Sequence, residues 1–316
     1  MTSKPRITAH VIQNAASSVD EGSSIRDLSF DLGSVMGVPD DAIKGCDRMR
    51  VLDLGAIEGH VLFFGGPYSN LQATEAVLAE ARAQGAYPIC TGDVVAYCGR
   101  PAETVVAIRA AGCAVVAGNC EIQLAEWAAD CGCGFEEGSS CDLLSVGWYR
   151  FADGQVGAED RNWMRALPDI ITFSHCGARY GVIHGGVTDV ARFLWSTSPA
   201  DAFEVEYRAL EVIIGPLDHV VAGHSGIPFR RPVGTGEWIN AGVVGMPPHD
   251  GSCDTAYATL TSGQLSLHRL KYDVGGAVRD MEAAGLTHGY HEALRSGHWP
   301  SEDVLPPDLR LSLASG

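Results

Sequence analysis

The sequence predicts a layered α/β fold, and three observations lead there. Short apolar runs alternate with stretches of helical period. Four of those runs stop at a glycine paired with a polar residue, at the kind of strand end where layered α/β folds gather their ligands. The composition, 46% hydrophobic and 19% charged with 38 glycines among 316 residues, describes a chain with a sizeable core rather than a disordered one.

Taken in order, residues 1–58 are rich in Ser, Asp and Gly and read as a partly ordered N-terminal extension, in which Leu52 to Ile57 is an edge strand or hairpin arm. Val61 to Phe64 is an apolar strand meeting Gly65, Gly66 and Pro67. A helix opens at Ser69 or Asn70 and carries Leu71, Val77, Leu78 and Ala81 on one face. Tyr87 to Thr91 runs into Gly92-Asp93, and the next helix has Pro101 near its start and Gly112 just past its end. Ala114 to Ala117 stops at Gly118-Asn119, Tyr180 to Ile183 at His184-Gly185, and His219 to Ala222 at Gly223-His224. Tyr257 to Leu260 and Leu265 to Leu270 alternate as antiparallel strands about a Ser262-Gly263 turn. A helix from Val274 to Ala284, stopped by Gly285, leads to a Pro-rich tail over 298–316. With neither an internal repeat nor a low-complexity linker, residues 59–297 read as one domain.

The 22 Lys and Arg against 39 Asp and Glu give a formal charge of −17. This repels polyanions and leaves no broad basic face, so neither a nucleic-acid polymer nor an anionic membrane is an expected partner. No apolar run approaches the ~18 residues of a membrane span, and the polar start MTSKPRITAH lacks a hydrophobic leader segment, so the expected location is cytoplasmic. The ten cysteines then read as reduced thiols or metal ligands rather than as a disulfide framework.

Asp93, Asn119, His184 and His224 stand at four successive strand ends. One carboxylate, one amide oxygen and two imidazoles make a mixed O/N shell suited to Mn, Fe, Co or Zn and poorly suited to calcium. At these residues the chain resembles the calcineurin-like metallophosphoesterases of the small bacterial phosphodiesterase branch. That family shows Asp-x-His, Gly-Asp, Gly-Asn-His, His and Gly-His-x-His in order. Here Gly92-Asp93, Gly118-Asn119-Cys120-Glu121, His184-Gly185-Gly186, Gly223-His224-Ser225-Gly226 and Ile239 to Pro247 follow the same order over about residues 60–290. The resemblance implies two packed mixed β-sheets flanked by helices, a four-layer αββα sandwich with its site on loops at the sheet ends. It also implies a small phosphorylated substrate and a divalent transition metal, Mn, Fe, Zn or Ni.

The departures are as informative. The family's Asp-x-His is Gly66-Pro67-Tyr68 here, and its last histidine is Gly226. Three of the four ligands that the resemblance assigns to one metal are therefore missing. The set for the other metal, Asp93, Asn119, His184 and His224, is complete, which implies one metal per chain. Cys120 stands where the family has a histidine acid. As a thiol lowered beside a metal or at a helix start it could serve as acid, ligand or nucleophile, or it could simply fill space. Tyr68 could ligate ferric iron, hydrogen-bond a substrate or fill a gap. Cys120, Cys131, Cys133 and Cys141 could form a thiolate shell for zinc, act in part as a redox pair, or stay inert. The other cysteines, Cys46 among them, read as ordinary core or near-surface thiols. Arg192, with Phe193 and Trp195, lies where the family's substrate-covering loop departs. It is the first candidate for a phosphate contact, followed by Arg100, Arg179 and Arg230, although Phe193 and Trp195 could equally face a core from a helix. Three functions remain open: a divergent phosphoesterase using Asp93, Cys120 and Tyr68, a metal- or ligand-binding regulatory protein of the same fold, and a repurposed iron or thiol enzyme.

Overall fold

The computed structural model describes residues 8–11, 24–29 and 49–311; Cys46, most of the N-terminal extension and the last five residues lie outside them. Two mixed sheets face each other. The larger has strand order β1 (Thr8–Val11), β2 (Ser24–Ser29), β3 (Met49–Ala56), β7 (Ile170–His175), β8 (Ala178–Val182), β9 (His219–Ala222), β11 (Gly236–Asn240) and β10 (Phe229–Val233). The smaller runs β13 (Gln264–Leu270), β12 (Thr255–Thr261), β4 (Val61–Phe64), β5 (Tyr87–Cys90) and β6 (Ala114–Val115). Parallel pairs β4/β5 and β5/β6 run from the centre to one edge of the smaller sheet, and β8/β9 and β9/β11 lie inside the larger. The Leu52 to Ile57 stretch falls largely within β3, which pairs antiparallel with β2 on one side and parallel with β7 on the other. It is thus a hairpin arm inside the larger sheet, and β1 holds the edge.

Side chains on a strand alternate between faces, so a strand buried on both faces reads as a continuous apolar run. In β4, Val61 and Phe63 enter the core between the sheets with Ile89, Phe173, Val221 and Leu260, while Leu62 and Phe64 enter a second core under the helices with Val77 and Leu78. A third core, with Ile170, Val220, Leu210 and Trp238, covers the far face of the larger sheet. Three cores between four layers give the αββα sandwich that the sequence predicts.

Helix α1 (Leu71–Gln84) is capped by the Asn70 side chain, which accepts from the Ala73 amide at 3.1 Å, and it ends at Gly85 in the left-handed region. Its buried face includes Val77, Leu78 and Ala81. Helix α2 (Pro101–Ala110) opens on proline, and α3 (Asn119–Ala125) starts directly at the end of β6. Helices α4 (Ser140–Gln155), α5 (Ala158–Ala166) and α6 (Ala200–Ile214) complete the outer layers with α7 (Val274–Ala283) and α8 (Tyr290–Ser296). The Ser262-Gly263 turn has positive φ at both residues, the two-residue hairpin geometry expected of it. Among the described residues no helix is long and apolar enough to cross a membrane.

Candidate metal centre

The site forms where β5, β6, β8 and β9 end. Gly92 has φ +92°, and a Cβ there would lie 2.7 Å from the Gly118 amide and 2.9 Å from His184 Nδ1, so only glycine lets the β5 and β6 turns approach. Asp93 and His224 follow in the left-handed region at φ 56° and 57°. Side-chain-bearing residues rarely hold that conformation, which costs on the order of 1 kcal/mol or more each and concentrates at functional sites.

All four predicted ligands are buried and brought together. His184 Nδ1 donates to the Thr91 carbonyl at 2.5 Å, which turns the Nε2 lone pair toward Asn119 Oδ1 at 3.1 Å, His224 Nδ1 at 3.0 Å and Asp93 Oδ2 at 3.3 Å. Asn119 is aimed in the same way. Its Nδ2 donates to the Cys131 carbonyl at 2.9 Å and to Cys133 Sγ at 3.3 Å, leaving Oδ1 for the centre. Four electron-rich atoms therefore face one another. A single proton satisfies one pair of them, whereas a cation satisfies all. Ligands about 2.1 Å from a tetrahedral ion stand about 3.4 Å apart, close to the 3.0–3.3 Å spacings found here. Asp93, His184 and His224 alone offer ligand atoms within 4.8 Å of one another. The residues present fit one borderline transition metal.

Burial raises the Asp93 carboxyl, but His184 and then His224 outweigh it and hold the group below the ordinary carboxylate range. Burial depresses His184, and the Asp93 charge overrides it to raise the ring. His224 is pushed down to about 3 by burial and by His184. Behind them lies Glu121, fully buried and absent from the sequence-predicted set. Its carboxylate accepts from the amides of Asp93 at 2.7 Å, Val94 at 2.8 Å and Gly118 at 3.0 Å, tying the β5 and β6 turns together. Burial, then the charge of Asp93, raises it to about 7. The available signal was its place three residues after Gly118, the position from which Glu caps a helix N-terminus.

The other candidates fall differently. The Cys120 amide donates to Asp93 Oδ1 at 3.3 Å, but the thiol is buried behind the ligands, and burial followed by Asp93 and Glu121 raises it. The carboxylates beside it work against a lowered thiol. Cys131 and Cys133 form a disulfide and every other described cysteine is free, so the four-thiolate zinc shell is not assembled. Cys141 lies instead against Ser301 and Asp303. Tyr68 is buried beside Asp93 and Tyr97, with its hydroxyl held protonated by burial and by Asp93. Arg192 pairs with the buried Glu206 at 2.6 Å, and Arg100 with Glu103 and Asp280. Neither lines the chamber that opens over Asp93 and His224. Residues 185–199 form no helix; Phe193 lies over the His224 ring at 4.3 Å and Trp195 stacks on Phe193 at 5.5 Å.

No family model and no curated protein matches the chain. Solved structures do. A metallophosphoesterase from Sphaerobacter thermophilus is 21% identical, with TM-score 0.60 over 76% of this chain and 100% of its own. A hypothetical protein from Pyrococcus horikoshii OT3 is 17% identical, with TM-score 0.62 over 76% of this chain and 99% of its own. At such identities the likeness is one of architecture, and it agrees with the two mixed sheets flanked by helices: the chain has the calcineurin-like metallophosphoesterase fold.

Proposed function

We propose that the protein is a hydrolase of a small phosphorylated substrate that works with one divalent transition metal. The observation that carries this reading is the convergence of Asp93, Asn119, His184 and His224 on one buried point, with Asp93, Asn119 and His184 each oriented by a hydrogen-bond partner behind it. Asp93, Asn119, His184 and His224 would hold the metal, which would supply Lewis acidity toward a phosphoryl oxygen and toward water. The chain does the rest. Thr91 fixes His184 as the tautomer with a free Nε2, the Cys131 carbonyl fixes the Asn119 amide, and Glu121 holds the two turns in register. Cys120, through its amide, turns Asp93 so that Oδ2 faces His184. It is a positioning residue in this scheme.

Protein isolated without chelator is expected to hold about one transition metal per chain, and His184→Ala and Asp93→Ala to lose it. A metal-free wild type would remove the reading. Phosphodiesters and phosphomonoesters assayed with Mn, Fe, Zn and Ni then test turnover, which Asp93→Ala should abolish. A second reading, a metal-holding binding protein without turnover, is favoured by one observation: Arg192 and Arg100 are engaged by carboxylates away from the chamber. Full metal occupancy with no turnover across that panel would select it.

A further inference from the structure

The resemblance places three ligands of a second metal at Gly66, Tyr68 and Gly226. The residues present do not fit that ion. Two of the three have no side chain, and the space their side chains would take is filled by rings. A Cβ at Gly66 would lie 2.5 Å from Tyr68 Cζ, and one at Gly226 would lie 3.3 Å from the Trp299 indole. Tyr68 is fixed edge-on against Tyr97 at 4.8 Å. Trp299 is fixed by its indole N–H, which donates to the Pro247 carbonyl at 2.7 Å, and by its amide, which donates to His249 Nδ1 at 2.8 Å.

These rings do more than fill space, because they wall a chamber whose floor is the metal centre. Asp93 and His224 line it together with Tyr68, Phe193, Trp299 and Met246, and among the described residues no Lys or Arg lines it. With no cationic side chain among the described lining residues, the metal is the natural anchor for an anionic head, and whatever hangs from that head meets a wall that is mostly aromatic and aliphatic, with Ser225 and Ser301 among it. The free volume is about 60 Å³. This exceeds the ~10–15 Å³ needed for one water and falls well short of the ~300–1,000 Å³ of sites that enclose drug-sized ligands. The enclosed space suits a compact substituent rather than a group as large as a nucleoside.

We propose that the chamber is a subsite for a small apolar group carried by an anionic ligand whose head reaches the metal centre, so that the second-metal position has become a specificity pocket walled by Tyr68, Phe193 and Trp299. The inference rests on the metal-hydrolase reading only for the placement of the head. It narrows the substrate class to phosphorylated compounds with a compact apolar substituent.

Phenylphosphonate and methylphosphonate carry the same head and differ in the group offered to the chamber. Calorimetric titration into the purified protein is expected to show phenylphosphonate binding about tenfold tighter or better, the gain of burying one ring among rings. Trp299→Leu should cut the preference to about threefold or less, and Phe193→Leu, at a half-buried position that tolerates change, should cut it in the same direction. Equal affinities in the wild type, or a preference unchanged in both variants, would overturn the subsite. Titration with excess manganese, followed by electron paramagnetic resonance, should show mononuclear ions alone; a spin-coupled pair would overturn the exclusion of the second metal. The two readings fail separately. A protein that holds metal without preferring the phenyl compound keeps the hydrolase reading and loses the subsite. A protein without metal that keeps the preference does the reverse.

Discussion

The Glu121 carboxylate accepts three backbone amides from two different turns, those of Asp93 and Val94 after β5 and of Gly118 after β6. Removing it leaves three buried donors without an acceptor, each costing about 1–3 kcal/mol. Glu121→Ala is therefore expected to lower unfolding stability by about 3 kcal/mol or more by these per-group costs, read by urea denaturation. It should also weaken metal binding, since the Asp93 turn loses its anchor. Asn119 makes a similar case on a smaller scale. Asn119→Asp keeps the ligating oxygen but replaces the donor to the Cys131 carbonyl with a second acceptor. Metal retention with a measurable loss of stability is the expected outcome, by metal analysis and denaturation on the same sample. In the sequence the four ligands were visible because each ends an apolar run beside glycine. Glu121 was not, because a Glu at the third helical position has a purely local explanation in capping.

At the scale of elements, the segment after His184 depends on a carboxylate from across the outer layer. Glu206 of α6 is fully buried and accepts from the amides of Val187 at 2.6 Å and Thr188 at 3.0 Å, from the Thr188 hydroxyl, and from Arg192 at 2.6 Å. Glu206→Ala leaves those donors and one guanidinium without their partner, a change worth about 3–5 kcal/mol where a buried pair is broken. Limited proteolysis should then cut first between residues 185 and 199. The same network engages the Arg192 that the sequence offers as a phosphate grip: a buried carboxylate on α6 pairs with it outside the chamber lining, and sequence spacing does not show which arginine a distant helix will claim. The strands were legible for a general reason, since apolar runs of four or five residues stopping at glycine have few other meanings. Helices α4, α5 and α6 were not assigned. In α5 only Arg161 and Met164 are buried, too few apolar residues for a clear helical stripe, and the arginine is neutralised by Asp153 and by backbone carbonyls.

At the scale of the whole molecule, the chain beyond Gly297 closes over the centre from outside. Trp299, Pro300, Ser301 and Val304 line the chamber, and Leu305 is buried. Glu302 pairs with His249 at 2.7 Å, and Asp303 accepts the Ser140 amide at 2.7 Å. A stretch that reads as a Pro-rich tail thus ties α4 to the loop before β12 and roofs a site whose candidate ligands all lie between residues 93 and 224. Proline limits hydrogen-bonded periodicity, so composition reports the missing secondary structure and says nothing of the packing. Truncation after Gly297 separates the two roles. It removes an indole and a buried leucine, whose loss from a core costs about 3 kcal/mol or more, so the melting temperature should fall and the dye-binding apolar surface around Phe193 should grow. It removes none of Asp93, Asn119, His184 or His224, so about one metal per chain should remain by metal analysis. A truncated protein that melts as before would show that the segment does not hold the roof, and loss of the metal from a still-folded truncation would show that the centre depends on its cover as well as on its four ligands.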